Sequence, residues 1–181
     1  MTAINHKIDF SVVFTVDKAN PNGDPLNGNR PRQDYDGHGE VSDVAIKRKL
    51  RNRLQDEGES ILVQSDERRS DEHRSICARV EGNADVAPYF AKKNKEPNKE
   101  ALVETFASKA WYDVRAFGQV FAFKGTDVSV GVRGPVSIHT ATSISPVEVS
   151  SMQITKSVNS TTNDKDPNKK TSDTMGMKHR V

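Results

Sequence analysis

The chain has 181 residues, 34% of them hydrophobic and 29% charged, with a formal net charge of +2. That balance allows a core but puts a sizeable part of the chain outside it, as one domain with insertions or one domain with a long appendage. A single cysteine, Cys77, excludes an internal disulfide, no Cys/His cluster offers a zinc site, and neither a signal peptide nor a membrane-length apolar run is present. The expectation is a soluble cytoplasmic protein without a cofactor.

The first element in chain order is read from alternation. Ile8, Phe10, Val12, Phe14 and Val16 share one parity against Asp9, Ser11, Thr15 and Asp17, which predicts a β-strand with one buried face. Residues 18–41 have no periodicity and include NPNGDPLNGN, Asn20 to Asn29, so they read as a long loop of the kind that binds something. A helix follows, capped by Ser42 and stopped at Gly58, with Ile46, Leu50 and Leu54 as an apolar stripe for a sheet. Lys47, Arg48 and Arg51 share one flank of that helix, and Lys49 and Arg53 the other.

Ile61 to Val63 reads as a short strand, and QSDERRSDEHRS after it as a solvent-facing insertion. A second helix is predicted from about Lys99 to Tyr112, with Ala101, Leu102, Phe106 and Ala110 toward the core and Trp111 anchoring its end. Val128, Val130 and Val132 alternate as a strand, as do Val136 and Ile138 after a break at Gly134 and Pro135. VEVSSMQITKSV is extended, Asn159 to Thr174 has no apolar residue and should be mobile when alone, and MGMKHRV reads as a returning strand. The whole pattern is α+β.

Several chemistries fail on the residues. Asp34, Asp36, His38 and Gly39 fit the first half of a calcium loop, but Ala45 stands where a bidentate glutamate is required. No GxxxxGK[ST] or GxGxxG cradle is present. Asp24, Asp34 and Asp36 are either turn formers or carboxylates able to assist phosphodiester cleavage. Arg30, Arg32 and the helix cations are either a solvated face or an anion contact, and loop asparagines and glycines add close-range donors.

The stretches NPNGDPLNGNRPRQDYDGHGEVSDVAIKRKLRNRLQ, DVRAFGQVFAF, GVRGPVSIHTATSISPVEVSSMQITKSVN and TMGMKHRV together resemble the Cas-seven family, specifically backbone subunits of type I-C CRISPR Cascade. The resemblance runs across essentially the whole chain. It implies an RRM-like (ferredoxin-like) palm over residues 1–63 and 111–149, a finger insertion at 64–110, and a thumb hairpin with the start of a return strand at 150–181. It further implies a scaffold that is not an enzyme and holds CRISPR RNA, in a helical filament with copies of itself and other Cascade subunits. Target DNA is reached through the guide and a helicase-nuclease is recruited to the complex, with no membrane involved. On that mapping the RNA-binding candidates are Asn20, Asn22, Gly23, Asn27, Asn29, Arg30, Arg32, Lys47, Arg48, Arg51 and Lys156. A ribonuclease using Asp24, as in type III relatives, and a general single-stranded RNA-binding protein are the alternatives. Family members continue past the thumb, so these 181 residues are expected to leave a sheet edge or an apolar patch exposed.

Overall fold

The computed structural model describes residues 4–91, 94–126, 128–155 and 175–181. In chain order the elements are β1 (Gly23–Asp24), β2 (Arg30–Pro31), β3 (His38–Val41), α1 (Asp43–Asp56), α2 (Ile76–Glu81), α3 (Ala87–Phe90), α4 (Lys99–Ala110), α5 (Tyr112–Phe117), β4 (Gly118–Ala122), β5 (Ser129–Arg133), β6 (Ala141–Pro146), β7 (Ser150–Thr155) and β8 (Met175–Arg180). The α+β class holds, with the strands in small antiparallel pairs. Two compact units are formed, one from Met1–Val41 with Ala141–Val181 and the other from Ser42–Thr140.

In the first unit, the segment read as a long loop is two successive hairpins. Pro25–Asn27 make a single 3-10 turn, Gly28 and Asn29 take left-handed φ of 60° and 58°, and β1 pairs with β2 in the register Gly23↔Pro31 and Asp24↔Arg30. The chain turns again through Asp34–Gly37, so that Gln33 bridges Gly39 and the Glu40 N–H donates to the Arg32 carbonyl at 2.9 Å. Turn chemistry explains both reversals: Asp24 Oδ1 accepts from the Leu26 N–H, and Asp34 Oδ1 accepts from the N–H groups of Asp36 and His38. β3 then pairs with β6, with an irregular register between His38 and Glu40, where the Ser143 hydroxyl takes the Gly39 N–H at 2.9 Å. The expected return strand is present: β8 pairs with β7 from Ser150↔Arg180 to Thr155↔Met175, and Val181 exchanges two backbone hydrogen bonds with Ala19. Asn159 to Thr174, expected to be mobile when alone, lies outside the described residues.

The second unit holds the main core. Leu62, Val80, Val86, Phe90, Val103, Ala107, Trp111, Val114, Phe121, Val128, Val130 and Val132 form one buried cluster. The expected alternation in β5 is borne out, with Val130 and Val132 buried and Ser129, Gly131 and Arg133 exposed, and Trp111 is buried at the end of α4. The polar tract after Val63 is mostly exposed, but Asp71 reaches in and binds Arg79, which also donates to the carbonyls of Leu62 and His73. The Arg79 hydrogen bonds hold the Asp71 carboxyl below its usual range, against the opposing effect of burial. Its stabilisation is therefore full above the ordinary carboxylate range and is lost as pH falls through the lowered value. Asp71→Asn should flatten the acid limb of a urea-stability profile below about pH 4; an unchanged limb would mean the pair contributes nothing.

Four expectations are corrected. Residues 8–16 form no strand: among the described residues they have no ladder partner, and Ile8, Phe10, Val12, Val13 and Phe14 are all about half or more exposed. Alternation specifies a face, but a strand also needs a neighbour to take its backbone groups. Ile61 to Val63 is buried or half-buried without being a strand, because the N–H groups of Leu62 and Val63 donate to the Asp113 carboxylate. The strand expected at Val136 and Ile138 begins instead at Ala141, the Val136 N–H being taken by the Ala116 carbonyl. In α4 the expected Phe106 and Ala110 pack against the core half-buried, but the fully buried pair is Val103 and Ala107, and Ala101 is exposed.

Candidate nucleic-acid interface

The candidate residues fall into two groups, one in each unit. In the first unit the two hairpins enclose a cleft of about 300 Å³ lined by Asp24, Asn27, Arg30, Pro31, Arg32, Gln33, Glu40 and Val149. β1 and β2 place Asp24 opposite Arg30, and the second hairpin brings Glu40 opposite Arg32. Arg32 lies 3.6 Å from the Asp24 carboxylate, while Arg30 is exposed and meets no acidic partner among the described residues. Gln33 is spent structurally, its Nε2 donating to the carbonyls of Val147 and Gly37.

Of the asparagines, Asn27 lines the cleft, whereas Asn20 and Asn29 build it. Asn20 Nδ2 donates to the Asn29 carbonyl at 2.7 Å, bracing the hairpin across its base. Gly23 lies so close to this brace that an added Cβ would be 1.9 Å from Asn29 Oδ1. The Asn22 carbonyl accepts from the Arg32 N–H. The costly backbone of NPNGDPLNGN thus sets two arginines on one short rim.

In the second unit the basic helix α1 begins and ends as its sequence says, with Ser42 Oγ accepting from the Ala45 N–H and Gly58 at φ 87° just past the end. Its faces are a correction. Leu50 is exposed and Ile46 and Leu54 only half-buried, while Arg48, Arg51, Asn52 and Gln55 carry the face that packs. These four follow i, i+3, i+4 and i+7, one helical row. Arg51 Nε donates to Asp113 Oδ2 at 2.9 Å and its guanidinium sits over the Phe117 ring at 5.3 Å, while Gln55 Nε2 donates to the Arg68 carbonyl and Arg68 pairs with Asp56. These polar locks turn the row inward.

The helix cations are therefore not equivalent. Lys47 pairs with Asp43 at 3.1 Å and Arg51 is committed to Asp113. Arg48 differs: its Nε and Nη2 are buried without a protein partner among the described residues. Burial, then the neighbouring Arg51 cation, lower its pKa, with Asp113 opposing and Arg68 adding to the fall. Lys156 lies outside the described residues.

The family model described as CRISPR-associated protein Cas7 matches residues 6–181. The chain belongs to the Cas7 family. A relative, CRISPR-associated protein Cas7 of Haloferax volcanii, is 36% identical over 128 residues, which is 70% of this chain and 35% of the relative. This Cas7-family chain thus spans about a third of that relative's length.

Within this Cas7-family chain, sequence reading missed Glu40 and Val149 as cleft residues. Glu40 was legible in part, because the DYDG turn fixes the register that sets it opposite Arg32. Val149 comes from a distant segment and left no local signal. Asp34, weighed for metal or catalysis, spends its carboxylate on the turn, with His38 Nδ1 3.6 Å away.

Proposed function

We propose that the chain is the guide-binding part of a type I-C Cascade backbone subunit, with an RRM-like palm, holding CRISPR RNA by its phosphates. The observation that carries this reading is the first unit's cleft, where a braced hairpin sets Arg30 and Arg32 on one rim. Cations fixed on a rigid turn meet phosphates whatever the base sequence, as a guide scaffold requires. Among the helix cations Arg48 is a further candidate, since unlike Lys47 and Arg51 it has no acidic partner among the described residues. Copies of the subunit assemble side by side along the guide with other Cascade subunits, and target DNA is read by base pairing. Its role is scaffolding, with cleavage left to a recruited helicase-nuclease.

Binding of single-stranded RNA across a salt series tests this. Arg30→Ala with Arg32→Ala should weaken binding about tenfold or more and reduce the log–log salt slope by about 1 to 2, with melting unchanged. An unaltered slope would remove the cleft from the interface. RNA kept with magnesium should stay intact; cleavage abolished by Asp24→Ala would replace the scaffold with a loop-aspartate ribonuclease.

A further inference from the structure

The cleft carries charges that phosphate binding alone does not explain. Alongside Arg30 and Arg32 it presents two carboxylates, Asp24 and Glu40, and a carboxylate close to a phosphate is repulsive. Asp24 has internal work, accepting from the Leu26 N–H and lying beside Arg32. Glu40 has none: the residue is half-buried, and its carboxylate has no hydrogen-bond or ion-pair partner among the described residues. Its backbone is nonetheless fixed opposite Arg32, because its own N–H is bonded to the Arg32 carbonyl, and the side chain lines the cleft.

A positioned acceptor beside phosphate-binding cations calls for a neutral donor carried by the same ligand. Along a nucleic-acid strand only two kinds of donor are available. Base N–H groups vary with sequence, whereas the ribose 2′-hydroxyl recurs at every nucleotide, on the carbon next to the one bearing the 3′-phosphate oxygen. Deoxyribose has no such donor. With DNA in the cleft, Glu40 would keep its repulsion toward the phosphate and gain nothing in return. A volume of about 300 Å³ is at the small end of ligand cavities and suits one sugar–phosphate unit, with Pro31 and Val149 as its apolar walls.

We propose that Glu40 accepts a hydrogen bond from a ribose 2′-hydroxyl of the strand whose phosphates lie on Arg30 and Arg32, so that the cleft selects RNA over DNA independently of base sequence. This rests on the cleft being a nucleic-acid backbone site. Asp24 holds Arg32 in place, and Glu40 reads the sugar.

The test is fluorescence anisotropy of the full chain at one fixed salt concentration, with a single-stranded RNA, the DNA of the same sequence and the 2′-O-methyl RNA. The wild type should favour RNA over DNA by about tenfold, the usual worth of a hydrogen bond to a charged group, and should bind the 2′-O-methyl strand like DNA. Glu40→Ala should weaken RNA about tenfold while leaving DNA unchanged or tighter, bringing the ratio toward one. Glu40→Gln keeps an acceptor oxygen and should fall between the two. Because the Glu40 carboxylate makes no contact that folding depends on, both variants should melt with the wild type.

Wild-type RNA and DNA affinities that are equal, or that fall together in Glu40→Ala, would sink the sugar-reading role while leaving the phosphate site standing. A Glu40 effect that changes between uridine and adenosine homopolymers would overturn it in favour of base recognition. Failure of the wild type to bind either strand would remove the cleft reading and this inference with it.

Discussion

Asp113→Ala should lower the free energy of unfolding by about 3–5 kcal/mol, the range for breaking a buried ion pair from one side. Asp113 is 1% exposed and satisfies three donors: Arg51 Nε at 2.9 Å, the Leu62 N–H at 2.8 Å and the Val63 N–H at 3.1 Å. Alanine removes every acceptor at once. The Arg51 side chain, 13% exposed, would be left as an uncompensated cation against Phe117. Urea unfolding reads the change directly. An apolar replacement of the pair, Arg51→Met with Asp113→Leu, should rescue only in part, because the Leu62 and Val63 N–H groups stay orphaned. Full rescue would show that the carboxylate serves the arginine alone, and a loss below about 1 kcal/mol would show that neither role is structural.

That carboxylate also explains where sequence reading stopped. Position 113 falls just past the helix expected from about Lys99 to Tyr112, and nothing local says that its carboxylate replaces a strand partner for residues 61–63. What was legible was whatever a few neighbouring residues decide together: the bounds of α1 from Ser42 and Gly58, the β5 alternation, and the returning strand after the apolar-free tract. What was not legible depended on partners distant in the chain. Ile8 to Val16 carries a clean two-residue period with no described neighbour to pair with, and Ile46, Leu50 and Leu54 carry a clean helical row that Arg51 and Gln55 turn away from burial.

The candidate site divides along the same line. Arg30 and Arg32 follow from the turn residues that build their hairpin, since Asp24, Gly28 and Asn29 are each suited to the backbone they adopt. The helix cations were indistinguishable as letters. Their separation into a paired Lys47, a committed Arg51 and an unpartnered Arg48 came from the positions of Asp43, Asp113 and Arg68. A basic run on a helix is therefore a weak guide to which cation meets a ligand, because the folded chain claims some of those charges for itself.

Gly118→Ala should cost about 3 kcal/mol or more, through two effects that a paired control can separate. Gly118 joins α5 to β4 at φ 78° and ψ 169°, a region that is almost glycine-only. A Cβ there would also lie 2.4 Å from the Val132 carbonyl oxygen and 2.8 Å from the Gly134 nitrogen, both backbone atoms that cannot swing aside. It would therefore push open the first pair of the β4–β5 ladder, Gly118↔Arg133, beside the buried Val132 and Phe121. Gly58 supplies the control, with φ 87° but no neighbour within 4 Å of an added Cβ. Gly58→Ala should cost only about 1 kcal/mol, the cost of a positive φ with no close contact. If thermal melting shows the two variants equally destabilised, the close approach at Gly118 contributes nothing and the ladder tolerates the shift; a gap of about 2 kcal/mol places the added constraint at the first pair of the β4–β5 ladder.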